Sequence, residues 1–275
     1  MSGRALRRWL PVAPALVFLA VFFVYPLVRM LVLSLAAAEG PFAYYAAILT
    51  SPVYLTVLWL TFKTALGVTV LCVVLGVPTA YLLASVSGTW RNVLLAAVAL
   101  PFLTSILIRT YAWMALLGRA GVVNQVLQWT GLTVGPIRLM HNEFGVYVGM
   151  VHVLLPFMVL PVYSVMSGID PRLPRAAASL GATPRRALST VFLPLALPGI
   201  ASGALLVFLI AIGFYITPAL LGGPRQVMIS NLVEVQVIEL LQWGFGSALA
   251  FVLLAATLVL MALFDRFLGL ERLTV

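Results

Sequence analysis

Residues 170–200 read DPRLPRAAASLGATPRRALSTVFLPLALPGI, a polar stretch with four arginines (Arg172, Arg175, Arg185, Arg186) between two long apolar segments. The flanking segments are long enough to cross a bilayer, and an arginine excess in a short connecting loop marks the cytoplasmic side. Asp170 before Pro171 and Thr183 before Pro184 are helix starts, since an acceptor side chain at the N-cap and proline at the first helical position suit the orphan N–H groups there. Gly181 ends the first helix, because glycine accepts the left-handed conformation of a C-terminal cap. The expected product is a short helix, a tight turn and a second short helix, with Pro194 and Pro198 resetting the chain direction into the next span. Ala176, Ala177 and Ala178 leave one side of the first helix nearly bare, open to close approach by another protein.

Working outward, the same polarity pattern recurs. Hydrophobic residues make up 63% of the 275 and charged residues 8%, a balance that no water-soluble domain with a polar shell carries. The chain is therefore expected to be an all-α integral membrane protein. Its net charge of +9 comes from arginines scattered among short loops rather than one stripe, so they read as topology signals and anionic-lipid contacts, not as a nucleic-acid surface. The single cysteine, Cys72, lies in an apolar run, which excludes a disulfide framework and points to small-residue packing. MSGRALRRWL followed by apolar residues and Ala36–Ala38 imitates a secretory signal. The apolar stretch from Leu10 to Leu35 is longer than the roughly 7 to 15 residues of such a signal, so a retained first span is expected.

Six apolar runs approach the ~20 residues a membrane helix needs: 11–35, 55–84, 92–117, 145–167, 196–221 and 247–267. Their internal prolines and glycines predict kinked, closely packed helices. Residues 1–54 make a cytoplasmic tail, first helix and outer loop, 55–267 a five-helix core holding the 170–200 loop, and 268–275 a cytoplasmic tail. This orientation puts Arg4, Arg7, Arg8, Arg91, Arg172, Arg175, Arg185, Arg186, Arg266 and Arg272 inside, against Arg119, Arg138 and Arg225 outside, with both termini cytoplasmic. The outer segments 118–144 and 222–246 carry amphipathic patches expected to form short interfacial helices. Arg29 and Arg109 fall near outer span ends, where they can snorkel. Lys63 stands roughly two turns into span two: either it faces the bundle interior or a wet cavity as a functional cation, or it snorkels outward.

The run Arg175-Ala176-Ala177, three residues, Gly181, nine residues, Val191-Phe192-Leu193-Pro194 resembles the EAA loop of bacterial ABC importer permeases, the binding-protein-dependent inner membrane components, in every spacing. Arg175 departs from the family's glutamate and Val191 from its isoleucine. Segments 71–84, 100–117, 154–170 and 212–234 resemble the spermidine/putrescine permeases, specifically the first of their two permease subunits. The resemblance implies a type I importer bundle in the bacterial inner membrane. It implies that Arg175, Ala176, Ala177, Gly181, Ala182, Leu193 and Pro194 belong to a coupling element docked on a cytoplasmic ATPase. The partners implied are a second permease, two ATPase copies and an extracytoplasmic solute-binding protein.

The residues agree with a transporter subunit rather than an enzyme. No G-x-x-x-x-G-K-[ST] phosphate loop occurs, so ATP and Mg belong to another chain. His141 and His152 lack zinc-site spacing and read as structural, no metal is expected, and Ser202 and Ser247 have no convincing base, which leaves no catalytic residue. Phe214, Tyr215 and Thr217, beside Gly213 and Pro218, are candidate path residues at a helix break, where aromatic faces attract ammonium groups. Aromatic packing between helices explains them equally. The spans hold no acid to pair a buried cation, with Glu39, Glu143, Glu234 and Glu239 in outer segments. The solute is expected to be a polyamine, with amino-acid derivatives and opines as alternatives. A stand-alone secondary carrier would need in-membrane carboxylates or repeated halves, and neither is visible.

Overall fold

The computed structural model describes residues 12–170 and 172–268; Arg4, Arg7, Arg8, Pro171 and Arg272 lie outside them. The described residues contain helices and no strand. Six helices are long and apolar enough to cross a membrane: Ala13–Ser34 (α1), Pro52–Ser85 (α3), Ile106–Trp129, Glu143–Ser167 (α7), Pro184–Ile212 (α9) and Trp243–Leu263, the last within α12. Shorter elements are α2 (Ala43–Thr50), α4 (Gly88–Ala99), α5 (Ile106–Leu117), α6 (Val122–Trp129), α8 (Arg172–Ser179), α10 (Ile216–Leu221) and α11 (Ile229–Glu234); α12 as a whole is Trp243–Leu268. The segments 118–144 and 222–246 each contain a short helix, α6 and α11.

The chain divides into two units, one from the segments up to Thr56 and Leu232–Leu260, the other from Val57–Asn231 and the segment from Met261 on. In the first, Tyr44 and Tyr54 both lie against Phe245, at ring-centroid distances of 5.7 and 5.4 Å. Ser34 shares a 2.7 Å hydrogen bond with Tyr45. None of the membrane-crossing window of α1 is buried within the chain.

The second unit is organised around α7, the most buried of the spans. Helix α3 runs parallel to it in a register fixed by small residues. A Cβ on Gly67 would come within 2.6 Å of the Tyr147 hydroxyl, and one on Gly76 within 2.7 Å of Met158 Cγ. Between them Cys72 Sγ reaches Val151 O at 4.0 Å, so Cys72 is the packing residue its setting suggested. Helix α9 runs antiparallel to α7. A Cβ on Gly199 would come within 2.9 Å of Val165 and one on Gly203 within 2.9 Å of the Met158 sulfur, so a side chain at either position would crowd the two helices.

Two expected boundaries are corrected. Span three is not one helix over 92–117: α4 passes through a 3-10 turn at Leu100–Leu103 and stops, with Thr104 and Ser105 extended before α5 begins. Pro101 has no N–H to give a helix, and the Thr104 hydroxyl donates to its carbonyl at 3.0 Å, which terminates the ladder. Arg109 consequently stands one turn after this break, half-buried with its Nε buried and unbonded, rather than at an outer helix end. The second loop helix and span five form one helix from Pro184 to Ile212, so Pro194 and Pro198 do not redirect the chain. A π turn at Leu188–Phe192 widens the helix ahead of Pro194, giving room for a ring that would clash with the i−4 carbonyl of a regular turn.

Candidate functional site

The loop at 170–192 is an exposed elbow with a cap at each end of its first helix. Asp170 Oδ1 accepts from the Arg172 N–H at 2.8 Å and starts α8 as the sequence predicts. At the other end Gly181 has φ +84°, Ala182 N–H donates to Ala177 O at 3.0 Å and Gly181 N–H to Ala178 O at 2.9 Å. This pair of bonds is a complete Schellman motif, closing the helix without using any outside partner. Thr183 then caps α9 by accepting from the Arg186 N–H at 3.4 Å.

The two faces of α8 differ. At about 100° per residue, Leu173, Ala176 and Leu180 share one face. Leu173 is 46% and Leu180 90% exposed, so this stripe is apolar and open. Arg175 and Ala178 are on the opposite face and line a cleft of about 560 Å³. Its other walls include Tyr81 and Ser85 at the end of α3, Met166 and Ser167 at the end of α7, and Phe192 in the π turn. Tyr81 and Phe192 meet edge to face at 5.3 Å. Arg175 therefore faces the span ends beneath the elbow, while Ala176 lies on the open stripe and Ala177 beside it. Gly181 and Ala182 form the turn, and Leu193 and Pro194 lie in α9 just beyond the π turn. Leu173 and Leu180 were not singled out from sequence; the signal was their i, i+7 spacing around Ala176.

A second feature is the break where α9 ends at Ile212 and α10 starts at Ile216, as Gly213 and Pro218 suggested. The freed carbonyls are taken up: Ser230 Oγ donates to Phe214 O at 2.7 Å and Asn231 Nδ2 to Tyr215 O at 2.8 Å. Thr61 Oγ1 accepts from the Ile229 N–H at 2.9 Å and anchors the returning segment to α3. Thr217 is fully buried, with its methyl where a Gly149 Cβ would stand at 2.5 Å, and Phe214 is 9% exposed. Tyr215 is 44% exposed, so of the path candidates at this break only its side chain is open; the fourth candidate, Lys63, lies elsewhere. Trp113 Nε1 donates to His152 Nδ1 at 3.1 Å, and His141 Nδ1 lies 3.3 Å from Gly222 O, so both histidines bond protein groups.

At the end of the α3–α7 pair opposite the cleft, Lys63 Nζ lies 2.8 Å from Glu143 Oε1, with the two side chains 47% and 41% exposed. Tyr147 donates its hydroxyl to the same carboxylate oxygen at 3.0 Å. Lys63 is thus neither buried among apolar groups nor free: the acid thought absent from the spans is the first residue of α7, four residues before Tyr147 on the same helix face.

Apolar spans joined through one continuous helix to an exposed, doubly capped elbow are the build of a membrane permease subunit. The chain belongs to the family of binding-protein-dependent transport system inner membrane components, whose family model matches residues 72–270. It is 35% identical over 240 residues to the spermidine/putrescine transport system permease protein PotB of Haemophilus influenzae, covering 85% of this chain and 84% of that protein. It is 39% identical over 200 residues to PotB of Escherichia coli K12, covering 73% of each. The crystal structure of a bacterial alginate ABC transporter in complex with an alginate pentasaccharide-bound periplasmic protein has a chain of the same fold, with TM-score 0.74, 19% identity, and coverage of 96% of this chain and 94% of that one. The resemblance read from the elbow spacing and the flanking segments is borne out: this is a multi-pass ABC permease subunit similar to those of the polyamine group.

Proposed function

We propose that this chain is the first of two non-identical permease subunits of an ATP-driven importer for a polyamine such as spermidine or putrescine. An extracytoplasmic binding protein delivers the solute, and two copies of a separate ATPase bind and hydrolyse Mg-ATP. The observation that carries the reading is the elbow: an open apolar stripe on α8, locked by the Gly181 turn to a helix of 29 residues that packs on α7 through Gly199 and Gly203. Closure of the ATPase pair presses on Leu173, Ala176 and Leu180, and α9 carries that displacement into the bundle as a rigid element with two arrangements. The arginine excess at the elbow, Arg172, Arg175, Arg185 and Arg186 within fifteen residues, supports a cytoplasmic position, with both termini on that side. The 35% identity to a spermidine/putrescine permease across 85% of the chain supports the solute class.

Co-purification of the tagged chain with its neighbours, followed by reconstitution in vesicles with Mg-ATP inside, tests the reading. Labelled spermidine is expected to accumulate only with binding protein outside and ATP inside, and the chain alone is expected to be inert. Accumulation by the chain alone, driven by an ion gradient, would overturn it.

A further inference from the structure

Among the described residues the chain contains one ion pair, Lys63–Glu143, at the end of the α3–α7 pair away from the cleft. From Ser85 in the cleft, Lys63 is about 33 Å back along α3; from Ser167, Glu143 is about 36 Å back along α7. One hydrocarbon thickness, about 30 Å, therefore separates the cleft from this pair. The pair thus lies near one end of the spans, away from mid-bilayer, and its half-exposed side is open to a polar solute.

The three groups differ in how firmly they are held. Glu143 is fixed at the first position of α7, whose N-terminus is capped by Asn142 Oδ1 accepting from Gly145 N–H at 2.9 Å. Tyr147 lies on Gly67, with the space where a Cβ would stand only 2.6 Å from its hydroxyl oxygen, so the phenol cannot swing toward α3. Lys63 is a primary ammonium on a flexible four-carbon stem, and an exposed pair of this kind contributes little to stability. A carboxylate on a capped first turn, bonded by a phenol that is packed on Gly67, thus holds a movable primary ammonium, which is the functional group at the end of a polyamine.

We infer that Glu143 and Tyr147 form a primary-ammonium site at the outer mouth of the permease, and that Lys63 Nζ occupies it as a tethered stand-in which the solute's terminal ammonium displaces. The exchange is ammonium for ammonium on one carboxylate, so no proton moves and the charge on Glu143 stays neutralised throughout. With solute in place the lysine ammonium swings away from the carboxylate, which its half-exposed position allows. This inference rests on the polyamine reading above.

Spermidine binding to the intact complex, measured by calorimetry in nanodiscs without binding protein, tests it alongside vesicle uptake. Glu143→Gln is expected to weaken binding by about tenfold or more, since one partner of a charge-assisted contact is lost. Lys63→Met is expected to tighten binding by up to about fivefold, the competitor having been removed. The double exchange Lys63→Glu with Glu143→Lys keeps an ion pair and is expected to bind as poorly as Glu143→Gln. Co-purification of all subunits at wild-type yield shows that each variant folds. Wild-type binding by Glu143→Gln, recovery by the double exchange, or weakening by Lys63→Met would each make the pair a structural tie and overturn the inference alone. A wild-type complex that imports no spermidine would overturn the polyamine reading and this site together.

Discussion

Gly181 separates two explanations of the elbow that ordinarily travel together. Its φ is +84°, and a Cβ built on it would meet nothing within 4 Å, so the space around it tolerates a side chain while the backbone does not. An L-residue held in the left-handed region costs about 1 to 2 kcal/mol, least for asparagine and most for a β-branched residue. That sum is large for α8, which has eight residues and would not persist on intrinsic propensity alone. Losing the turn unlatches the cap formed by Gly181 and Ala182 on Ala178 and Ala177, and 1 to 2 kcal/mol lowers the ratio of formed to unformed elbow by about 5- to 30-fold. ATP-dependent uptake in the reconstituted complex should therefore fall in the order Gly, Asn, Ala, Val. The order of the middle pair is decisive. Asparagine is larger than alanine but accepts positive φ, so a steric clash with a docked ATPase would favour Gly181→Ala over Gly181→Asn. Uptake higher for alanine than for asparagine refutes the backbone argument and puts a partner surface directly on the turn.

Two further substitutions probe the core. Asn231→Leu removes both the bond to Tyr215 O at 2.8 Å and the acceptor for Met228 N–H at 3.1 Å, leaving buried backbone groups unpaired; thermal unfolding in detergent should show a loss of about 1 to 3 kcal/mol. Gly203→Val should cost a similar amount, about 1 to 3 kcal/mol, because its Cβ would stand 2.9 Å from the Met158 sulfur and 3.2 Å from Met158 O. Gly168→Ala, whose Cβ would be 3.5 Å from Val165 O, should leave the same unfolding curve unmoved.

What was legible in the sequence was local. Apolar run length located the membrane helices, and Asp170 and Gly181 located both ends of α8, because caps and spans are set by residues close in the chain. The break after Ile212 was visible for the same reason, from Gly213 and Pro218. Proline was a poorer guide. Pro101 helps end α4, whereas Pro194 rides inside α9 behind the widened turn at Leu188–Phe192 and Pro198 sits in the regular helix that follows. Contacts across the chain were invisible. Lys63 and Glu143 are eighty residues apart, and their meeting depends on the α3–α7 register that Gly67, Cys72 and Gly76 set together. Arg175 could be recognised as a departure from a family pattern, but its position over the cleft follows from helix phase relative to Leu173 and Leu180, which needs the orientation of α8 on the span ends.

The distribution of tight and loose packing says where this subunit can change shape. Along α7, Gly76 on α3 and Gly199 and Gly203 on α9 leave no room for a side chain, so α3, α7 and α9 cannot slide past one another without breaking contact over several turns. Both ends of that block are different. At one end the elbow covers a 560 Å³ cleft, lined by Arg175, Tyr81 and Phe192 among others, which leaves space between α8 and the span ends. At the other, a half-exposed lysine and a carboxylate meet with little energy to lose on parting. A push on the Leu173–Leu180 stripe would therefore close the cleft first and then tilt the glycine-locked block as a body, delivering the movement about one membrane thickness away. There it encounters the contact least able to resist it. On the proposed function, a stiff middle between two yielding ends would let a displacement at the elbow reach the far end of the bundle, where the half-exposed Lys63–Glu143 contact has the least to lose on parting.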